Sequence, residues 1–266
     1  MQRDKLMKML QIRVADSSFL RLVGKCLHVG VLDGEEYTKP GEGTAQGSII
    51  SPMLGNVYLH HVLDLWFERD IKPRLKGHAR LIRYADDFVM GFEAAEDAER
   101  VLKVLHQRMA KYGLTLHPDK TRLIPFARPQ RGRSGNSGPG TFDFLGFTMY
   151  WCLTRRGNWR PRMKTRKARI QKANKAIGDW CRRHRHLPLK EQHAALVRRI
   201  SGHFRYFGVN GNSRCLSQIL WYAERTWLKW LRRRGQRGRR LTWERFHAYL
   251  TAHPLPQPRI CVSIWK

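Results

Sequence analysis

Residues 81–92 read LIRYADDFVMGF, with two adjacent carboxylates, Asp86 and Asp87, between two short apolar runs. Apolar runs of this length around a short polar segment predict a β-hairpin that turns at Ala85, Asp86 and Asp87. Carboxylates this close repel each other unless water or a cation lies between them. Mg²⁺ binds carboxylate oxygens and shares its other positions with phosphate and water, so the turn is a candidate magnesium site. An ordinary Asp-rich turn is the alternative interpretation.

A glycine-rich loop precedes the hairpin and runs into a predicted helix. Residues 43–52 read GTAQGSIISP, in which Ser51 at the cap and Pro52 in the first turn are typical of a helix start. This helix is predicted to run through Leu65. Free N–H groups and the helix dipole at such a start favour an anion such as a triphosphate. A flexible connector is the alternative interpretation of the loop.

The chain is predicted to be mixed α and β first and all helical last. Residues 4–29 predict two helices, the second capped by Asp16 or Ser17, and a short strand is predicted near 31–37. The later pattern predicts an amphipathic helix at 95–112, a mobile basic loop at 128–140, strands within 141–159, and helices near 164–183, 188–205, 213–234 (capped by Ser213) and 242–250.

The positive charge is concentrated in the second half of the chain. The formal net charge is +30, of which residues 1–126 contribute +3 and residues 127–266 contribute +27. A merely solvated surface mixes both signs, so the second half is predicted to bind a polyanion, with nucleic acid favoured over a membrane or an acidic protein. The predicted RNA contacts are Arg155, Arg156, Arg166, Lys167, Arg169 and Lys172, with a second patch at Arg232, Arg233 and Arg234.

Cysteine usage and hydropathy exclude several classes of protein. The five cysteines are scattered and form no CxxC pair, which argues against a disulfide framework and against a zinc site. There is no run of 18 apolar residues, so no membrane-spanning segment is predicted. We therefore expect a cytoplasmic protein without a membrane partner.

Four motifs in this order resemble group II intron reverse transcriptases, also called maturases. A fifth stretch near the end of the chain resembles the maturase, or thumb, region of the same family, so the resemblance covers essentially the whole chain. The motifs are QGSIISPMLGNVYL at 46–59, RYADDF at 83–88, GLTL at 113–116 followed by Lys120-Thr121, FDFLGF at 142–147, and HFRYFG at 203–208.

The resemblance implies a fold and a division into domains. The fold class would be α+β, a right-hand polymerase palm of antiparallel sheet with packed helices, followed by an all-helical thumb/maturase domain. Residues 1–126 would form the palm, residues 127–162 the basic loop and primer-grip strands, and residues 163–266 the helical RNA-binding domain.

The resemblance also implies roles for individual residues. Asp86 and Asp87 would bind the catalytic Mg²⁺, with Mn²⁺ as the alternative ion, and Lys120 would lie near the leaving pyrophosphate, although a solvated surface position is the alternative for Lys120. The nucleotide-binding set would be Ala45, Gln46, Gly47, Ser48 and Tyr84, and the primer-grip set would be Phe144, Leu145 and Gly146. The implied partners are structured intron RNA, an RNA template with a DNA primer, and deoxynucleoside triphosphates.

Two departures from the family pattern change the expected activity. The family's further metal-binding Asp, in a strand before the first helix, has no counterpart here, and the fingers domain is missing, so a complementing N-terminal polypeptide is a predicted partner. No Cys and His pairs of an endonuclease domain follow the thumb. The chain alone is predicted to be an inactive polymerase. The alternatives are an RNA-binding splicing cofactor with a vestigial polymerase site, and a decayed fragment with no stable fold alone.

Overall fold

The computed structural model describes residues 1–28, 31–33, 36–38, 49–129 and 140–263. The chain divides into two compact units, Met1–Leu123 and Ile124–Lys266. Both units contain helices and antiparallel strands, so the α+β prediction is confirmed. Residues 130–139 of the predicted basic loop lie outside the described residues.

The first unit places two small antiparallel hairpins among helices. Its elements are α1 (Arg3–Gln11), α2 (Ser17–His28), β1 (Val31–Asp33), β2 (Glu36–Thr38), α3 (Ser51–Leu59), β3 (Ala79–Tyr84), β4 (Asp87–Phe92) and α4 (Ala95–Lys111). Asp16 caps α2 as predicted, because its Oδ1 accepts hydrogen bonds from the backbone N–H groups of Ser18 and Phe19 at 2.8 and 3.0 Å.

Two elements of the first unit differ from the sequence prediction. The single strand expected near 31–37 is a pair of strands, β1 and β2, whose register joins Val31 to Thr38. In the sequence, Asp33 is followed by Gly34, and Asp-Gly is a hairpin turn signal that the prediction overlooked. The helix expected from Ser51 through Leu65 ends as α3 at Leu59 and continues as two π-helical segments, His60–Asp64 and Phe67–Ile71. Wide turns of this kind are often found at functional sites.

The second unit packs a three-stranded sheet with helices. Its elements are β5 (Phe142–Phe144), β6 (Phe147–Leu153), β7 (Trp159–Thr165), α5 (Lys167–Arg183), α6 (Leu189–Phe207), α7 (Ser213–Leu231), α8 (Gln236–Arg239) and α9 (Trp243–Ala252). The strand order is β5-β6-β7, all antiparallel. The first helix begins three residues later than predicted because residues 159–165 pair in β7. The core centres on Leu196, Ile200, Leu216, Ile219 and Trp227, none of which is exposed to solvent.

A buried asparagine joins three elements of the second unit. Asn212 is fully buried, and its Oδ1 accepts from the backbone N–H of Thr165 at 2.8 Å. Its Nδ2 donates to Thr165 Oγ1 at 2.8 Å and to the carbonyl of Phe207 at 2.7 Å. These bonds tie the end of β7 to the end of α6 immediately before α7. The predicted cap Ser213 is instead the first residue of α7, and Asn212 precedes it.

Gly208 ends α6 at a place with no room for a side chain. A Cβ at this position would collide with the carbonyl oxygen of Phe204 and lie 2.6 Å from that of Arg259. Gly202, inside α6, has nothing within 4 Å of an added Cβ. Gly208→Ala should therefore destabilise the second unit by roughly 1–3 kcal/mol through overpacking. Gly202→Ala should stabilise it by about 0.5–1 kcal/mol through reduced chain entropy.

Urea unfolding followed by tryptophan fluorescence measures this difference. Eight of the nine tryptophans lie beyond residue 123, so the signal reports mainly the second unit. Equal midpoints for the two alanine variants would contradict the close approach at Gly208.

Candidate active site and nucleic-acid interface

The predicted carboxylate hairpin is present, with a strained two-residue turn. Strands β3 and β4 pair in a register that joins Tyr84 to Asp87, which leaves Ala85 and Asp86 as the turn. Ala85 has φ +53°, in the left-handed region. This conformation costs roughly 1–2 kcal/mol for a residue that carries a Cβ. Such a turn persists only when its surroundings hold it in place.

Arg83 donates four hydrogen bonds, one of which reaches this turn. Its Nε and Nη2 donate to the two carboxylate oxygens of Asp64, each at 2.7 Å. Its Nη1 donates to Asn56 Oδ1 at 2.8 Å and to the carbonyl of Ala85 at 2.9 Å. The side chain of Arg83 is only 13% exposed. We call Arg83, Asp64, Asn56 and the Ala85 carbonyl the arginine clamp. It connects the strained turn to α3 and to the π-helical segment that follows.

The clamp contains an ion pair in which the pKa of each partner shifts toward its charged form. Burial raises the pKa of Asp64, but the hydrogen bonds and charges of Arg83 and His60 together lower it by more, so the net pKa lies below the ordinary value. The hydrogen bonds to Asp64 raise the pKa of Arg83 despite partial burial. Both groups therefore stay charged at neutral pH. The Asp64 contribution to stability is present above the ordinary carboxyl pKa and is lost as the pH falls through the lowered value.

The carboxylates that the clamp presents are exposed to solvent. Asp86 lies in the turn, and Asp87 shares one face of the hairpin with Tyr84 and Ile82, which are 67% and 60% exposed. On the opposite face, Leu81, Phe88 and Met90 pack against the core of the first unit. The hairpin thus buries one face and leaves open the face that carries Asp87.

Asp86 and Asp87 fit a magnesium ion as a partial ligand set. Mg²⁺ is commonly bound through one or two carboxylates, with water and substrate phosphates completing its coordination. Among the described residues, no three His, Cys, Asp or Glu side chains come together as a metal site. The remaining ligands of an ion at this turn would come from water, from a bound phosphate or from residues beyond the described part.

The other predicted residues of the first unit are only partly placed. Ala45, Gln46, Gly47 and Ser48 lie outside the described residues. Lys120 is exposed in the turn after α4, where its backbone N–H donates to the carbonyl of His117 at 3.3 Å. Within the part of the chain that the structure describes, no ion pair joins Lys120 to either carboxylate of the hairpin.

The predicted primer-grip residues form a second strained turn. Phe144 pairs with Phe147, and the two residues between them, Leu145 and Gly146, have φ +49° and +81°. Two consecutive positive φ values define the type I′ hairpin turn, in which glycine or asparagine normally replaces leucine. The structure therefore retains a bulky residue where its backbone conformation is unfavourable.

This turn is anchored by the HFRYFG motif at residues 203–208. The hydroxyl of Tyr206 donates to the carbonyl of Leu145 at 3.0 Å. The rings of Tyr206 and Phe147 stack, with centroids 6.0 Å apart and planes 14° apart. The backbone N–H of Arg166 donates to the carbonyl of Gly146 at 2.9 Å. The FDFLGF and HFRYFG motifs are thus parts of one local structure.

The predicted RNA-contact residues of the first patch are exposed, and one of them is paired with a carboxylate. Arg155 and Arg156 are exposed at the turn between β6 and β7, and Lys167, Arg169 and Lys172 are exposed on α5. Arg166, in contrast, forms an ion pair between its Nε and Asp143 Oδ2 at 2.9 Å. Part of its charge is therefore neutralised within the protein.

Sequence reasoning missed a basic stripe on β7. Arg160, Arg162 and Lys164 alternate with inward residues, so all three are exposed on one face of the sheet. Lys164 Nζ lies 4.9 Å from the ring centroid of Tyr150 on the neighbouring strand. The alternation is visible in the sequence WRPRMKT at 159–165. We call the first basic surface the set formed by this stripe, the β6–β7 turn and the exposed face of α5.

The second predicted patch is not a uniform set. Arg232 Nε donates to the carbonyl of Leu241 at 2.7 Å. Arg234 Nη2 donates to the carbonyls of His186 and Leu187 at 3.1 and 3.0 Å. Arg233 instead lies over the ring of Trp230. Two of the three arginines therefore fix loops.

None of the helices among the described residues combines the length and the hydropathy of a membrane-spanning segment.

Comparisons with known proteins agree with the resemblance seen in the motifs. The group II intron-encoded protein LtrA of Lactococcus lactis subsp. cremoris is 33% identical over 133 residues, 46% of this chain and 22% of the relative. A putative COX1/OXI3 intron 1 protein of Saccharomyces cerevisiae is 26% identical over 168 residues, 45% of this chain and 20% of the relative. An uncharacterized 91 kDa protein in a cob intron of Schizosaccharomyces pombe is 43% identical over 65 residues, 24% of this chain and 8% of the relative.

The chain thus spans less than a quarter of the length of each of these three relatives. Residues 2–149 match the model of the family "Reverse transcriptase (RNA-dependent DNA polymerase)". That match covers more than half of the chain and includes the arginine clamp and the carboxylate turn. The chain therefore belongs to the reverse transcriptase family, in its group II intron reverse transcriptase/maturase branch.

Proposed function

We propose that this chain provides the palm hairpin and the helical thumb/maturase region of a group II intron reverse transcriptase. It binds structured intron RNA and, in a complete polymerase, copies RNA from a DNA primer by adding deoxynucleotides. The observation that carries the proposal is the exposed Asp86-Asp87 pair at the end of a hairpin, whose turn the arginine clamp holds through the carbonyl of Ala85. A mere Asp-rich turn needs no such anchoring.

In this proposal the residues of the first unit hold the nucleotide and its metal ions. Asp86 and Asp87 hold Mg²⁺, with Mn²⁺ as a substitute, and Tyr84 borders the incoming deoxynucleotide. When bound, the two ions supply activation of the attacking primer oxygen and stabilisation of the leaving group. Lys120 supplies an ammonium for charge on the leaving pyrophosphate. Ala45, Gln46, Gly47 and Ser48 complete the nucleotide-binding set in the same proposal.

The second unit binds the nucleic acid. The first basic surface carries exposed cations on a sheet face, on a hairpin tip and along a helix, which suits the phosphate backbone of RNA. Phe144, Leu145 and Gly146 hold the primer end, and their turn is fixed from both sides by Tyr206 and Arg166. A rigid turn positions a primer better than a mobile loop does.

A complete polymerase site needs a further carboxylate beside the hairpin. The open face that carries Asp87 and Tyr84 is accessible to such a carboxylate, and an N-terminal segment with a fingers domain, in cis or as a complementing polypeptide, is the proposed source. The second candidate function is an RNA-binding splicing cofactor with a vestigial polymerase site. This second candidate is favoured by the net positive charge of residues 127–266, which at +27 far exceeds the +3 of residues 1–126.

The metal proposal predicts that Asp86→Ala weakens Mn²⁺ binding by roughly 10-fold or more. RNA affinity should stay nearly unchanged, because the RNA surface lies in the other unit. Mn²⁺ binding is measured by electron paramagnetic resonance, and RNA binding by filter retention. Asp70→Ala, which removes an exposed carboxylate elsewhere in the first unit, is the matched control. Equal loss of RNA binding in Asp86→Ala would mean that this residue supports the fold instead.

The arginine clamp predicts a second effect on the same metal. Arg83→Lys keeps the charge but loses the planar fork that bonds Asp64 twice and the Ala85 carbonyl once. It should weaken Mn²⁺ binding by roughly 10-fold, as loss of a supporting partner commonly does. Arg80→Lys on the same strand, where the side chain is exposed, should change nothing. Identical Mn²⁺ titrations of the two variants would refute the role of the clamp.

The need for a further carboxylate predicts how this chain behaves as a polymerase. The chain alone should bind structured RNA yet extend a DNA primer on an RNA template poorly or not at all. Adding the fingers and Asp-bearing segment of a group II intron reverse transcriptase, in cis or as a second polypeptide, should restore extension. Asp86→Ala in the restored protein should abolish it again. Robust, Asp86-dependent extension by the chain alone would show that no further carboxylate is needed.

The same assay separates the two candidate functions. If the restored protein stays inactive while splicing of the intron is stimulated, the splicing cofactor is the correct function.

A further inference from the structure

We propose a second RNA-binding site at the C-terminal ends of α5 and α7, where Arg182, Arg185 and Arg233 line an open depression around Trp230. The ligand is a backbone phosphate of structured RNA. This inference rests on the proposed RNA-binding function and adds a site apart from the first basic surface.

Three cations lie near the indole of Trp230. The Cζ atoms of Arg233 and Arg182 lie 5.1 and 6.0 Å from its ring centroid, and Lys229 Nζ lies 5.8 Å away. The indole attracts cations through its negative face, which gathers them at one place. Arg185 adds a fourth cation, and its Nη1 donates to the carbonyl of Arg182 at 3.0 Å.

The positive charge in this depression is not neutralised locally. Among the described residues, none of the four cations has a carboxylate oxygen within 4.0 Å. The C-termini of α5 and α7 contribute a negative dipole charge of about −0.5 each, against four positive charges. The excess of about three charges favours an anion. Guanidinium groups suit phosphate because their planar fork can bond two oxygens at once.

The depression has fixed walls. Arg234 bonds the carbonyls of residues 186 and 187, which follow α5, and Arg232 bonds the carbonyl of Leu241, which follows α8. These two arginines, which follow α7, hold the loops after α5 and α8. Because the loops are already ordered, less entropy is lost when a phosphate binds.

The proposed site and the first basic surface lie near opposite ends of α5. Lys167 and Arg182 lie near opposite ends of α5, about 22 Å apart at 1.5 Å rise per residue. One phosphate group cannot reach both ends. A structured RNA, with phosphates spread over its surface, can engage both, whereas a free nucleotide cannot.

The experiment measures RNA binding by filter retention as a function of salt. Each phosphate neutralised contributes about 0.7–0.9 to the slope of log affinity against log salt. Replacing Arg182, Arg185 and Arg233 together by Gln should therefore reduce the slope by roughly 2–3. The control replaces three exposed cations elsewhere in the second unit, Lys190, Arg245 and Arg259, by Gln. The control removes the same charge but no phosphate contact, so its slope should change less.

A second measurement avoids any folding defect in the variants. In the wild-type chain, bound RNA should protect Arg182, Arg185 and Arg233 from modification by phenylglyoxal, read by mass spectrometry, while Arg259 stays reactive. Unprotected arginines, or equal slopes for the two triple variants, would overturn the second site but leave the proposed function standing. A wild-type chain that binds RNA without salt dependence would overturn both.

Discussion

Both candidate functional hairpins depend on a carbonyl oxygen held at a left-handed, non-glycine turn residue. In the first unit, Arg83 donates to the carbonyl of Ala85, and in the second, Tyr206 donates to the carbonyl of Leu145. Each turn residue adopts a conformation that costs roughly 1–2 kcal/mol for a side chain with a Cβ. A hydrogen bond of this kind contributes about 0.5–1.5 kcal/mol, enough to offset most of that strain. The anchors therefore decide whether either turn keeps its shape.

The donors of these bonds are themselves fixed by the helices behind the hairpins. Arg83 is bonded to Asn56 on α3 and to Asp64 on its π-helical continuation. The ring of Tyr206, near the end of α6, stacks on the ring of Phe147. Each hairpin tip is thus positioned by a helix far away in sequence. Catalytic and binding groups need this arrangement, because a turn supported only by its own strands would be too mobile for precise chemistry.

The sequence predicted the parts that depend on local pattern. The hairpin at residues 81–92, the cap at Asp16 and the helices of the second half follow from apolar periodicity and turn residues, and the structure contains them. The arginine clamp could not be predicted, since Arg83 lies 19 residues from Asp64 and 27 from Asn56. No local rule selects those partners among the polar residues of the chain.

The structure also differs from the sequence prediction where one sequence pattern is compatible with two local structures. The π-helical segments after α3 keep a helical pattern of apolar residues, so periodicity alone cannot reveal the wider turns. Ser213 is a common capping residue, but it is the first residue of α7, and Asn212 precedes the helix. The side chain of Asn212 is hydrogen-bonded to Thr165 and Phe207, which only the tertiary fold brings near. The β7 stripe is visible in the alternation of residues 159–165, but the net charge of a region does not distinguish the two faces of a strand.

The net charge of +30 overstates the charge that is available to a ligand. Arg83 and Arg166 are paired with carboxylates, and Arg232 and Arg234 are bonded to backbone carbonyls. A guanidinium used in this way stabilises a turn or a loop end, because its several donors satisfy more than one acceptor at once. The same residue type therefore does two jobs in this chain. Arginines with internal partners shape the turns and loops, and exposed arginines beside them carry the charge that RNA phosphates would meet.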